Sequence, residues 1–209
     1  MRPVKAINKM SSGEPLKITA FGDSLTYGWM VSRGYLDYLG EMINERYPGC
    51  RVDILNRGVP GDTALDGFSR LKRDVLRDRA DLVLVQFGLN DAYTGFSPDE
   101  FESNLERIIS ELKSSFDPEI VLLTSVYIKM PEYRLVLQYY DRIERLAEKY
   151  KLTLVKVHRY WEDRVGAGTD FYKLVQADGV HPTEEGYRLF AESVMEIFSK
   201  GDGGISFFV

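Results

Sequence analysis

Five short apolar runs, rich in β-branched residues and separated by amphipathic stretches, constrain this chain more than any other feature. They are LKITAFG from Leu16, VDILNRG from Val52, DLVLVQFG from Asp81, EIVLLTSV from Glu119 and LTLVKVH from Leu152. The third and fourth are almost continuously apolar, the pattern of strands covered on both faces, and such strands belong to parallel sheets. Helical patterns lie between them. In VSRGYLDYLGEMINERYPG, Tyr35, Leu36, Leu39, Met42 and Ile43 form one stripe that stops at Pro48-Gly49. SPDEFESNLERIISELKSS opens with Ser97 as N-cap, Pro98 at the first helical position and Glu100 three residues after the cap. LDGFSRLKRDVLRDR, PEYRLVLQYYDRIERLAEKY and HPTEEGYRLFAESVMEIFSK repeat the helical pattern, the last with Thr183 as its cap. This alternation predicts an α/β fold: a three-layer α/β/α sandwich with a five-stranded parallel sheet, right-handed crossovers and flavodoxin-like strand order.

The 209 residues suit one domain over 1–209, with 1–15 as an N-terminal extension and 201–209 as an apolar C-terminal tail. Ile205, Phe207, Phe208 and Val209 of that tail are expected to dock either on the body or on a second copy, the latter giving a homo-oligomer. A net charge of −5, with basic residues spread among acidic ones, argues against a nucleic-acid partner. The richest basic cluster, RLKRDVLRDR from Arg70 to Arg79, reads as the solvated face of a helix. The one cysteine, Cys50, excludes an internal disulfide and a Cys-type metal motif; it reads as a half-buried small residue. The N-terminus lacks the apolar core of a secretory signal, and no run of about 18 apolar residues occurs. The expectation is a cytoplasmic protein without integral membrane association.

Open α/β sheets bind ligands beyond the carboxyl ends of their strands. Three predicted loops carry polar residues to that edge: the turn around Ser24, NRGVPGDT from Asn56, and FGLND from Phe87. In ITAFGDSLTYGWM, the Gly-Asp-Ser turn has two readings, a capped helix entry or a nucleophile presented at a strand end. A serine nucleophile needs a base and the base needs an orienting partner. The chain has two histidines. His181 follows Asp178 by three residues in a glycine-containing loop, so the carboxylate can reach Nδ1 while Nε2 faces a hydroxyl. His158, in VKVHRYW at a predicted strand end, has no carboxylate nearer than Glu162 and reads as a structural or rim residue. Acyl transfer also needs donors for a developing oxyanion. The Gly61 amide, the Asn90 side chain and the amide of Ser24 at a helix start can supply them. Each has an ordinary explanation as turn or cap; their arrival at one edge with His181 points to chemistry.

The chain resembles the SGNH hydrolase superfamily, the GDSL-type esterases, lipases and acylhydrolases. GDSLTYG at Gly22–Gly28, NRGVPGDT at Asn56–Thr63, GLND at Gly88–Asp91 and DGVHP at Asp178–Pro182 are similar to its four blocks, in order. The resemblance implies a catalytic Ser24, Asp178 and His181, an oxyanion hole of Ser24, Gly61 and Asn90, and hydrolysis of esters or thioesters without metal or organic cofactor. It also separates the chain from α/β-hydrolases, whose G-x-S-x-G elbow has glycine where Thr26 stands. Asp23, Asn56, Asp62 and Asp91 are expected to support the loops behind these groups. Tyr93, Phe96, Tyr127, Met130 and Phe171 are candidate pocket walls. Short connections favour a small acyl group, such as acetyl on a carbohydrate or small alcohol, as the ester substrate. A thioester or lysophospholipid is the alternative within the superfamily; a non-catalytic, flavodoxin-like ligand-binding module is the alternative outside it.

Overall fold

The apolar runs pair as one parallel sheet in a computed structural model that describes residues 1–199. Its strands are β1 (Leu16–Gly22), β2 (Val52–Gly58), β3 (Leu82–Gln86), β4 (Glu119–Leu123) and β5 (Thr153–Val155). They lie in the order β2-β1-β3-β4-β5, the flavodoxin-like order. β3 is wholly buried and β4 nearly so, because helices cover both faces. The predicted tail, 201–209, lies outside the described residues.

The helices are α1 (Val4–Ser12), α2 (Ser24–Tyr27), α3 (Tyr35–Arg46), α4 (Ala64–Leu71), α5 (Leu89–Thr94), α6 (Pro98–Ser115), α7 (Tyr133–Tyr150), α8 (Val157–Gly166), α9 (Phe171–Leu174) and α10 (Glu184–Met195). α3 packs on α10, with Tyr35 stacked flat on Phe190 at 4.4 Å between ring centroids. α4, α6 and α7 form a second packed group. The capping box at Ser97 and Glu100 starts α6, and Thr183 accepts the Gly186 amide at the start of α10.

The N-terminal segment is more than an extension. α1 buries Ala6 and Met10, and the Glu119 carboxylate at the foot of β4 accepts its Lys5 and Ala6 amides at 2.9 and 2.7 Å. The last apolar run is also shorter as a strand than as a sequence pattern. β5 ends at Val155, and His158 lies in the first turn of α8 rather than at a strand end.

Register brings the site together. Gly22 at the end of β1 pairs with Gly58 of β2 on one side and Gln86 of β3 on the other. The loops that follow these strands therefore leave the sheet at one level, beside the switch point in strand order.

Candidate active site

At the end of β1 the chain turns sharply into α2. Asp23 is both turn residue and cap: its Oδ1 accepts the Leu25 amide at 2.9 Å, so Ser24 becomes the first residue of the helix. The helix-entry reading and the presented-hydroxyl reading thus describe one structure. Gly22 has no room for a side chain, since a Cβ there would stand 2.3 Å from Thr26 Oγ1 and 2.5 Å from the Gln86 carbonyl. Gln86, fully buried, holds the turn from beneath. Its Nε2 donates to Asp23 Oδ2 and Ser125 Oγ, and its Oε1 accepts from Thr26 Oγ1. Burial raises the Asp23 carboxyl to about 7, against the hydrogen bonds from Leu25 and Gln86.

The second half of the site is the loop before α10. Gln176 clasps it, donating its amide to the His181 carbonyl at 2.7 Å and its Nε2 to the Pro182 carbonyl at 2.8 Å. The same Nε2 reaches the Trp29 carbonyl at 2.9 Å, and the Tyr187 hydroxyl accepts the Trp29 amide at 3.1 Å. These bonds tie the loop to the turn after Ser24.

The result is a continuous chain of polar contacts. Ser24 Oγ lies 2.9 Å from His181 Nε2, across 157 residues of sequence. His181 Nδ1 lies 2.6 Å from Asp178 Oδ2. Asp178 Oδ1 accepts the amides of Val180 and His181 at 2.9 and 3.0 Å. Burial pushes the Asp178 carboxyl up, but the Val180 amide and the ring and amide of His181 outweigh it and hold the group below its ordinary range. An ionised Asp178 can only accept, so Nδ1 carries the proton and Nε2 is left to accept from the serine hydroxyl.

The remaining polar candidates knit the neighbouring loops. Asn90 Nδ2 donates to the Asp62 carbonyl at 2.9 Å, joining the loops after β2 and β3. Gly61, beside Asp62, has a φ of +87° that favours glycine. Among the described residues neither the Ser24 nor the Gly61 amide has an acceptor. Asn56 joins the end of β2 to the Tyr27 carbonyl at 3.2 Å and accepts the Gly58 amide at 2.9 Å. Asp91, buried, accepts the Ala64 amide at the start of α4 with both oxygens; burial raises it to about 6. Asp62 Oδ2 pairs with Arg70 Nε at 2.5 Å. That last contact corrects the reading of Arg70 as part of a solvated face: its side chain is 7% exposed, under the ends of β1 and β2.

The apolar candidates divide. Tyr93 is exposed on α5, three residues after Asn90; partial burial, with the negative charges of Glu132 and Asp178, raises its hydroxyl. Met130 Sδ would be 3.8 Å from a Cβ on Gly179, in the histidine loop. Phe171 is buried, with Tyr127 edge-on at 5.6 Å, and Tyr127 meets Tyr133 at 4.9 Å. The Phe96 carbonyl accepts the Tyr139 hydroxyl. Tyr27 at the end of α2 and Trp29 and Val59 on the loops, which the sequence did not single out, are also exposed at this edge. The Trp29 ring lies 6.3 Å from that of His181. His158 is buried away from these groups, 2.8 Å from Thr124 Oγ1 and against the Tyr140 ring; burial holds it down at about 3. Among the described residues no three His, Cys, Asp or Glu side chains group as a metal site, and no helix is long and apolar enough to cross a membrane.

Residues 20–189 match the model of the GDSL-like Lipase/Acylhydrolase family. The chain belongs to this family. It is a carboxylic ester hydrolase of the SGNH/GDSL type. An arylesterase of Vibrio mimicus is 29% identical over 86% of each chain. An acetylxylan esterase of Geobacillus stearothermophilus is 25% identical over 90% of this chain and 94% of its own. The crystal structure of that esterase superposes with a TM-score of 0.79 at 23% identity, covering 88% of this chain and 94% of its own. Structures of its catalytic mutants replace a serine, an aspartate and a histidine by alanine, the last two three positions apart.

Proposed function

We propose that this GDSL hydrolase is a serine esterase acting by two-step acyl transfer, with Ser24, His181 and Asp178 as its triad. The observation that carries the reading is the unbroken contact from Ser24 Oγ through the imidazole to Asp178, at 2.9 and 2.6 Å. The same Asp-to-His spacing among the catalytic mutants of the Geobacillus relative supports it.

Ser24 Oγ attacks the ester carbonyl carbon as His181 Nε2 takes its proton. The carbonyl oxygen gains the electron pair and is met by the free amides of Ser24 and Gly61 with the Asn90 side-chain amide. Asp178 holds the ring in the productive tautomer and stabilises the imidazolium. Collapse expels the alcohol, which takes the Nε2 proton, and leaves an acyl-serine. Water then attacks that ester, gives its proton to Nε2, and Ser24 leaves with the proton returned. The Gly61–Asp62 loop, held by Asn90 and Arg70, keeps the donors in place before the charge develops.

Short acyl esters, including acetyl on a carbohydrate or small alcohol, are the substrates we assign. The arylesterase and acetylxylan esterase relatives support this choice, as do the exposed aromatics Tyr27, Trp29 and Tyr93 around the site. The test is hydrolysis of p-nitrophenyl esters from acetate to palmitate, with acetate release from acetylated xylo-oligosaccharides, by the parent and Ser24→Ala. Rates should fall with chain length and vanish in the variant. Preference for palmitate would overturn the substrate assignment, and parental turnover by Ser24→Ala the mechanism.

A further inference from the structure

A buried arginine with no place in the triad sits behind the oxyanion loops. Arg70 lies near the end of α4, 7% exposed, with the face of Phe21 4.5 Å from its guanidinium carbon. Its donors reach four residues. Nη2 donates to the Gly22 carbonyl at 3.0 Å, Nη1 to the Arg57 carbonyl at 2.9 Å and to Asp74 Oδ2 at 3.3 Å, and Nε to Asp62 Oδ2 at 2.5 Å. A guanidinium taken out of water is costly to the fold unless it is fully paired, and a planar fork is the group that can satisfy several acceptors at once.

Two of these contacts, those to Gly22 and Asp62, lead towards the proposed oxyanion donors. Gly22 is two residues before Ser24 and fixes the approach to its amide. Asp62 follows Gly61 directly. The Asp62 carbonyl is the acceptor that orients the Asn90 side chain, at 2.9 Å. A carbonyl at the end of β1, a carbonyl at the end of β2 and the carboxylate beside the Gly61 amide are therefore held by one rigid cation. We infer that Arg70 is the positioning residue of the oxyanion hole, acting through Asp62 and the Gly22 carbonyl to set the spacing of the three donors. The inference rests on the acyl-transfer reading above and adds to it a residue that touches neither substrate nor triad.

The consequence is a specific kinetic signature. Oxyanion donors act on charge that exists only in the transition state, so loosening them lowers kcat more than it raises KM. Removing one donor outright costs about 10²–10³ in rate, and misplacement by about 1 Å costs about 10². Arg70→Lys keeps the charge and loses the fork. It should lower kcat on p-nitrophenyl acetate roughly 10- to 100-fold with KM within about twofold. Asp62→Asn, which weakens the same link from the other side, should do likewise. Arg142→Gln is the control for stability alone. Arg142 bridges α7 to Asp99 and Glu102 of α6, and its loss should lower Tm and leave kcat unchanged.

All variants are compared below their melting temperatures, with active sites counted by a fluorophosphonate titrant. Parental kcat per titrated site in Arg70→Lys or in Asp62→Asn overturns the inference. If Arg70→Lys fails to fold, Asp62→Asn decides alone. Asn90→Ala separates the two levels. A loss of kcat there with none in Asp62→Asn sinks the role of Arg70 and leaves the acyl-transfer reading standing. No loss in Asn90→Ala sinks the oxyanion hole itself.

Discussion

Replacing Asp23 by asparagine should change how stability depends on pH, and the sign follows from the fold. Asp23 is fully buried beside Ser24, and burial raises its carboxyl to about 7 in the folded chain. An aspartate in an unfolded chain titrates at about 3.9. The folded state therefore holds the proton more tightly than the unfolded state. Between those two values the unfolded chain is ionised while the folded chain is still protonated, so stability falls as pH rises from about 4 to about 7 and is flat above. A gap of about three pK units corresponds to about 4 kcal/mol at full extent. The substituted amide cannot titrate, so that slope disappears. The variant also exchanges an acceptor for a donor opposite Gln86 Nε2, which adds an offset that does not vary with pH. The assay is urea unfolding of parent and variant at intervals from pH 4 to 8, reading the difference in free energy. Titrating groups that do not interact with Asp23 cancel in that difference; its like-charged neighbours Asp91 and Asp62 add a smaller change over the same range. The difference should move in favour of the variant by several kcal/mol across this range and level off near pH 7. Parallel curves would refute the assignment of a raised carboxyl at this position.

Asp178→Asn should keep the loop, because its remaining oxygen can still accept the Val180 and His181 amides, and should keep Tm near that of the parent. Its kcat should fall by up to about 10⁴, since the amide favours the wrong imidazole tautomer; steady-state kinetics on p-nitrophenyl acetate checks this. His158→Gln should hydrolyse the same ester at close to the parental rate. His158 is held neutral, down at about 3, so it contributes stability that is present above about 6.5 and lost as pH falls towards 3. The variant should therefore lose stability less steeply over that acid range in thermal melts.

The sheet was legible because continuous apolar runs need cover on both faces and the helical stripes between them supply it. The contacts among the candidate polar groups were legible because those groups lie in short segments: Asp178 and His181 are three residues apart, and Ser24 closely follows a strand. What escaped the sequence was long-range pairing. α1 is capped by Glu119, 113 residues away from its Ala6 amide, so its own ends carry no start signal. Gln86 reaches Asp23 across 63 residues, and Gln176 reaches Trp29 across 147. Arg70 sits in a run of alternating charge that periodicity assigns to solvent; its partners at Gly22 and Arg57 become neighbours only when β1 and β2 pair. His158 follows residues that read as strand, but the chain leaves the sheet at Val155 and starts a helix, where the ring finds Thr124 and Tyr140.

The central claim is that one hydroxyl, Ser24 Oγ, becomes acylated because His181 contacts it. Intact-mass analysis after treatment with a fluorophosphonate, followed by peptide mapping, tests it directly. The account predicts a single adduct, on the peptide carrying Ser24, formed in step with loss of esterase activity and absent in Ser24→Ala. An adduct on another residue that tracks the loss of activity, or full labelling at Ser24 with activity retained, would contradict it.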